Sequence, residues 1–216
     1  MMALKRRSDI HWARKIWHMG GVSLMALVYA YAPYDVAMGI LAACWLAFVP
    51  FDIARHFFPD LNRVALRSFS LIMREHEEKK LAGTSYLFTG VAIVGFLFPR
   101  EVLQPTLLFL AFADPFASVI GIKYGSIKIF GHKSLQGFLA AFVICFVLSF
   151  SYFSTHGLLP QNQLTASLIA GLVGALAELV PVYDFDDNLT LPVLSALGLW
   201  GIYALYGHPI TLGAIF

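Results

Sequence analysis

Apolar residues in this chain run for about 17 to 25 positions at a time, the length an α-helix needs to cross roughly 30 Å of hydrocarbon. Such runs fall near 16–33, 35–53, 84–99, 103–122, 136–154, 164–181 and 188–206. Pro33, Pro50, Pro99, Pro160 and Pro181 sit at or near their ends, where a missing N–H disturbs least. The pattern predicts an all-α, polytopic integral membrane protein with about seven transmembrane helices, forming a single domain over 1–216. The N-terminal segment is basic before its first apolar run and shows no small-residue cleavage site after it, so it reads as a retained first helix.

Between the second and third runs the periodicity changes. Leu61, Val64, Ala65, Phe69, Ile72 and Met73 recur at helical spacing opposite Arg63, Arg67, Ser70 and Arg74. This predicts an interfacial amphipathic helix on the cytosolic leaflet, with Asp60 as N-cap after Pro59. Its arginines suit anionic headgroups whether or not they do anything else.

Composition agrees with a lipid solvent. Of 216 residues 59% are hydrophobic and 13% charged, and mean hydropathy is +0.73, against roughly 25% charge in soluble domains. A soluble globule, a coiled coil and a disordered chain are excluded. Cys44 and Cys145 are far apart in apolar stretches, which gives no disulfide framework and no CxxC motif. Net charge is only +2, but its placement is informative. Counting Lys and Arg in alternate loops puts all but Arg100 on one side: Lys5, Arg6, Arg7, Arg14 and Lys15, then Arg55 to Lys80, then Lys123, Lys128 and Lys133. By the positive-inside rule that side is cytosolic, with the N-terminus inside and the C-terminus outside.

Ionisable groups within the runs are costly unless they are paired, hydrated or bound to something. Two stand out. Asp114 interrupts LLFLAFADPFASVIG and precedes Pro115, which predicts a kink or break in the fourth helix and a polar cavity there. Glu178 lies before Pro181, near the cytosolic end of the sixth run, and is followed by the acidic VYDFDDN segment. One face thus gathers Asp52, Asp114, Glu178, Asp184, Asp186 and Asp187 with Arg14, Lys15, Arg55, Arg74, Lys123, Lys128 and Lys133. Oxygen-only acids beside cations suit a magnesium–nucleotide site: carboxylates take Mg²⁺, and Lys and Arg neutralise phosphate.

The stretch GIKYGSIKIFGHKSLQG adds Gly121, Gly125, Gly131 and Gly137 beside Lys128, Lys133 and Ser134. Glycine lets backbone N–H groups approach phosphate. GHKS lacks Walker A spacing and the strand–loop–helix context of a P-loop. The seven histidines show no HExxH or other ligand spacing, and no GxSxG is present, so zinc and covalent serine chemistry find no support. His18 follows Arg14 by one helical turn, so both can face one site.

Three strings, RKxxH (Arg14, Lys15, His18), DxxAxxxGxxxGxxKxxxxKSxxG (Asp114 to Gly137) and DNLTLP (Asp187 to Pro192), occur in that order. Together they resemble the CTP-dependent lipid-alcohol kinases, the group that includes dolichol kinase, phytol kinase and the CTP-dependent diacylglycerol kinase. Arg74 to Gly83, RxHExxxxxG with His76 and Glu77, is similar to the diacylglycerol-kinase branch. The resemblance implies transfer of the γ-phosphate of CTP to the hydroxyl of a membrane lipid alcohol, diacylglycerol or a polyprenol. It assigns Gly121, Gly125, Lys128, Lys133 and Ser134 to the CTP site, and Arg14 and Lys15 to the neighbourhood of the phosphates. His18, Arg74 and Glu77 are further expected binding residues. The catalytic set expected from both arguments is Asp114, Arg14 and Lys15, and the Mg²⁺ ligands are Asp114, Asp187 and Glu178. One position departs from the family string: Gln136 stands where KSxEG has Glu, which shifts weight onto Glu178 and Asp187. A phosphatidate cytidylyltransferase is the first alternative, although its DxxDHxGxxDRxD-type signature is missing. A small transporter built on a broken helix is the second. The expected location is a bacterial inner membrane, or alternatively the endoplasmic reticulum.

Overall fold

A computed structural model describes residues 10–183 and 185–208. Asp184, Lys5, Arg6, Arg7 and the C-terminal residues used above for charge and orientation lie outside the described residues. Helices occupy all seven apolar runs: α1 (Trp12–Tyr31), α2 (Tyr34–Ala54), α4 (Gly83–Leu97), α5 and α6 (Arg100–Leu108 and Asp114–Tyr124), α7 (Leu135–His156), α8 (Gln163–Leu179) and α9 (Asp187–Leu205). A short amphipathic α3 (Pro59–Ser68) lies between α2 and α4, and a two-stranded hairpin, β1 (Lys128–Phe130) with β2 (Lys133–Ser134), lies between α6 and α7. The protein is an all-α membrane protein. Four of the helices, counting Arg100–Tyr124 as one, are long and apolar enough to cross a bilayer, and α4 and α8 are shorter apolar helices.

Local chemistry sets several boundaries. Ser134 caps α7, its Oγ accepting from the N–H of Gly137 at 3.2 Å, and Gly157 ends the helix with a left-handed φ of 63°, as its missing side chain permits. Asp186 caps α9 by accepting from the N–H of Asn188 at 3.0 Å. At α3 the structure corrects the expected start: Phe58 is the capping residue, Pro59 fills the first helical position and Asp60 sits in the first turn. The pre-set φ of proline suits that first position, which leaves Asp60 to pair with Arg63 at 3.2 Å. α3 also ends sooner than its periodicity implies. It buries Ala65 and Leu66, with Met73 buried beyond it, while Val64 stays exposed.

The α5–α6 span runs through the centre, where Phe109, Leu110, Ala111 and Ala113 are at most 1% exposed. Where a kink or break is expected at Asp114, the chain does not break. It stays helical but widens into a π turn over Phe109–Ala113. Pro115 supplies no N–H to the turn before it, and a single π turn accommodates that without ending the helix. Around this span the helices meet through small residues, as membrane helices do. A Cβ added to Gly174 would press on Cys145 and lie 3.0 Å from Phe109, and one on Gly171 would lie 2.9 Å from Phe146. Leu24, Leu46, Val143, Leu164 and Leu197 project outward, forming the apolar surface that a lipid solvent requires.

Candidate active site

The starts of α1, α7 and α9, one face of α6 from Asp114 to Ile122 and the end of α8 meet around a polar cavity of about 530 Å³. Five cations (Arg14, Lys15, Arg74, Lys80 and Lys133) and four acids (Asp114, Glu178, Asp186 and Asp187) line it. Of the residues expected at the site, Arg14, Lys15, His18, Arg74, Asp114, Gly121, Lys133, Ser134, Glu178 and Asp187 all line this cavity.

The π turn brings two of them together. His18 Nε2 lies 2.9 Å from the carbonyl of Leu110, within the widened turn. A carbonyl only accepts, so Nε2 carries the proton. The same nitrogen is 3.8 Å from Asp114 Oδ2, too far for a hydrogen bond but close enough for charge to matter. Lys15 Nζ donates to the carbonyl of Pro115 at 3.4 Å. One helical turn of α1 is thereby held against the start of α6.

Lys133 forms the opposite wall. Its Nζ donates to Glu178 Oε1 at 2.7 Å and to Asp187 Oδ2 at 3.0 Å. Burial works against its charge, but the two carboxylates hold its pKa above the ordinary lysine value, so it remains an ammonium. Among the described residues no three His, Cys, Asp or Glu side chains are gathered as a metal cage. Glu178 and Asp187, two of the three expected Mg²⁺ ligands, instead share a lysine. Asp114 is the expected ligand that does not bind Lys133.

Three expected residues lie off the cavity wall. Lys128 is exposed on β1. Gly125 acts in packing, since an added Cβ would lie 2.8 Å from Ser134 Cβ. A Cβ on Gly121 would be 3.1 Å from Ser134 Oγ, and one on Gly137 would be 2.9 Å from the carbonyl of Ala117. The Ala117–Gly121–Gly125 face therefore lets α6 lie directly against the start of α7. Glu77, 1% exposed, accepts from Arg14 Nη1 at 2.8 Å and from the N–H groups of Arg74 and Gly83 at 2.7 and 2.8 Å. Burial opposes its ionisation, but Arg14 and these donors hold its carboxyl below the usual glutamate range. Glu77 thus orients Arg14 from behind.

A second buried network supports Glu77. Arg55, 2% exposed, donates to Asp52 Oδ1 at 2.6 Å, to Asn62 Oδ1 at 2.8 Å and to the carbonyls of Glu77 and Lys80, both at 2.8 Å. Asp52 also accepts from the N–H of Ala82 and the hydroxyl of Ser85. Positive-inside counting treats Arg55 as one loop cation among several, and nothing in its local sequence marks it as buried. Asn188, within the DNLTLP string, likewise carries no signal of its own in the sequence. Gln136, the departure from the family string, donates to Ser126 Oγ at 2.7 Å and accepts from the N–H of Ile127 at 3.4 Å, tying the loop before β1.

No family model and no solved structure matches this chain. Curated relatives do. CTP-dependent diacylglycerol kinase 1 of Schizosaccharomyces pombe is 32% identical over 200 residues, covering 87% of this chain and 91% of that protein. The chain belongs to the CTP-dependent lipid-alcohol kinase family. Within that family it is also similar to CTP-dependent diacylglycerol kinase 1 of Saccharomyces cerevisiae, 29% identical over 205 residues, 85% of this chain and 70% of that one. A probable chloroplastic phytol kinase of Triticum aestivum is 30% identical over 181 residues, 72% of this chain and 60% of the wheat protein. This kinase therefore has relatives named for two different lipid alcohols.

Proposed function

We propose that the protein is a CTP-dependent lipid kinase that moves the γ-phosphate of CTP to the hydroxyl of a membrane lipid alcohol, diacylglycerol or a prenol, with its site facing the cytosol. One observation carries this reading: Arg14, Lys15, Asp114 and Lys133, from three separate stretches of a chain in this family, converge on one polar cavity. Relatives named as kinases favour phosphoryl transfer over the cytidylyl transfer of the first alternative. A topology of seven spans with the N-terminus inside, as the charge pattern of the sequence suggests, supports a cavity open to the side where CTP is found.

In this mechanism the triphosphate lies among Arg14, Lys15, Arg74 and Lys133, whose charges offset its own and the charge that spreads over the phosphoryl oxygens during transfer. The backbone N–H groups at the start of α7 add a favourable field for an anion. The acceptor oxygen attacks the γ-phosphorus in line. A bond forms from that oxygen to phosphorus, the bond from phosphorus to the β–γ bridging oxygen breaks, and CDP leaves with that electron pair. Asp114, held near His18 over the π turn, takes the hydroxyl proton. Most of the acceleration comes from positioning and charge. Mg²⁺ commonly binds one or two carboxylates plus substrate phosphates, and Asp114 with the nucleotide's own oxygens fits that pattern better than the three-carboxylate set expected from sequence. When bound, it supplies Lewis-acid neutralisation of the phosphates.

The test uses purified protein in detergent, Mg²⁺, a panel of lipid alcohols plus phosphatidate, and CTP labelled on either the α or the γ phosphate. Label reaching extracted lipid from the γ position is the expected result, and label from the α position overturns the reading. Asp114→Asn is expected to lower kcat by about a hundredfold or more while thermal unfolding and CTP-dependent stabilisation persist. A folded, fully active Asp114→Asn removes Asp114 from the chemistry.

A further inference from the structure

A second cavity, about 390 Å³ and lined almost wholly by apolar side chains, lies between α1, α2 and α4. It shares Arg14, His18 and Asn188 with the polar cavity. From His18 it follows α1 down to Val28, ten residues on, or about 15 Å at the helical rise, half the thickness of the hydrocarbon. Leu103 and Leu107 on α5 form its inner wall. Its lining includes Trp17, Leu24 and Ile40, which are 56%, 62% and 46% exposed, so in a membrane it opens sideways to lipid.

Resting on the kinase reading above, we propose that this groove holds one hydrocarbon chain of the acceptor lipid and delivers its hydroxyl to the junction at Arg14, His18 and Asn188. The groove is continuous with the polar cavity: it meets it at residues that line both, beside Asp114. A lipid alcohol has the matching polarity, with one hydroxyl above a long apolar chain. The groove takes one chain, so a second acyl chain, where an acceptor has one, remains in the bilayer. Recognition is then by length and apolarity, which explains how one scaffold serves acceptors as different as diacylglycerol and phytol. Gly21 keeps the groove open. An added Cβ there meets nothing within 4 Å, and Gly21 is in the lining. Gly20 beside it also has open space but does not line the groove.

The two glycines give a matched test. Gly21→Phe fills the groove, Gly20→Phe does not, and both replace a poor helix former in α1. Gly21→Phe is expected to raise KM for a long-chain acceptor about tenfold, leaving KM for CTP unchanged. Gly20→Phe is expected to match wild type in both. Independently, an acceptor with a photoreactive group on its chain is expected to crosslink wild type at α1, α2 or α4. Wild-type acceptor kinetics in Gly21→Phe overturn the proposal and leave only bulk lipid in the groove, as do crosslinks confined to α7 and α8. If wild type transfers no phosphate from CTP to any lipid, the kinase reading fails and the proposal falls with it, an outcome the crosslink and variant results cannot mimic.

Discussion

Arg14 is the residue on which the two cavities turn, and its position is set from behind. Glu77 and the carbonyl of Ile72 accept from its Nη1 at 2.8 and 2.9 Å, which leaves the rest of the guanidinium for the cavity. Gly83 makes the arrangement possible: a Cβ there would press on Arg14 and come within 2.7 Å of Asn188 Nδ2 and 3.3 Å of Glu77 Oε1. Because the folded state holds Glu77 below its reference value of 4.5, its ionised form contributes stability that is fully present above that value. That stability is lost as pH falls through the lower folded-state value. Glu77→Gln keeps an acceptor for the Gly83 N–H but presents an amide to a largely buried guanidinium, so it is expected to cost about 3 kcal/mol at neutral pH. Thermal unfolding of both proteins across acid pH checks this. The gap between them should narrow below about pH 4.5 as wild-type Glu77 protonates, and a gap independent of pH would show that the pair is not ionic.

At the scale of elements, the π turn and the glycine face of α6 do the positioning. The turn exposes a carbonyl for His18, and Gly121, Gly125 and Gly137 let α6 and α7 touch, so that Ser134 and Lys133 reach the cavity that Asp114 borders. Gln136 works at the rim. Its partners, the Ser126 hydroxyl and the Ile127 N–H, can both donate to a carboxylate. Gln136→Glu is therefore expected to leave stability within about 0.5 kcal/mol and the Mg²⁺ dependence of activity unchanged. A tighter Mg²⁺ requirement in that variant would place this side chain on the metal. The helices themselves were legible in sequence because apolar length and terminal prolines are local signals, and the cavity residues were legible because charge in an apolar run is conspicuous. Three features were not. Proline after Asp114 signals a lost hydrogen bond but not whether the helix breaks or widens. A glycine that admits phosphate looks in sequence like one that admits a neighbouring helix. Arg55 finds its partners at Asn62, Glu77 and Lys80 only once the chain has folded.

For the whole molecule, the arrangement of charge requires an orientation. The polar cavity lies toward the helix ends and loops that carry, among the described residues, every Lys and Arg but Arg100. At the opposite side Arg100 lies with its guanidinium 5.3 Å from the Tyr29 ring and donates to the carbonyl of Ala32. The proposed use of CTP calls for a cavity open to the side that holds the nucleotide, and the positive-inside rule predicts the same orientation independently. Lys128, exposed on β1, and Asn162, exposed between α7 and α8, lie at opposite ends of α7. In a background with Cys44 and Cys145 changed to Ala, Lys128→Cys and Asn162→Cys each carry one accessible thiol. In sealed vesicles with the outer face exposed, an impermeant maleimide should label Asn162→Cys at once and Lys128→Cys only after permeabilisation. Because the two thiols differ in side and little else, the reverse pattern would put the polar cavity outside, away from CTP. The kinase reading could not survive that result even with its residues correctly placed.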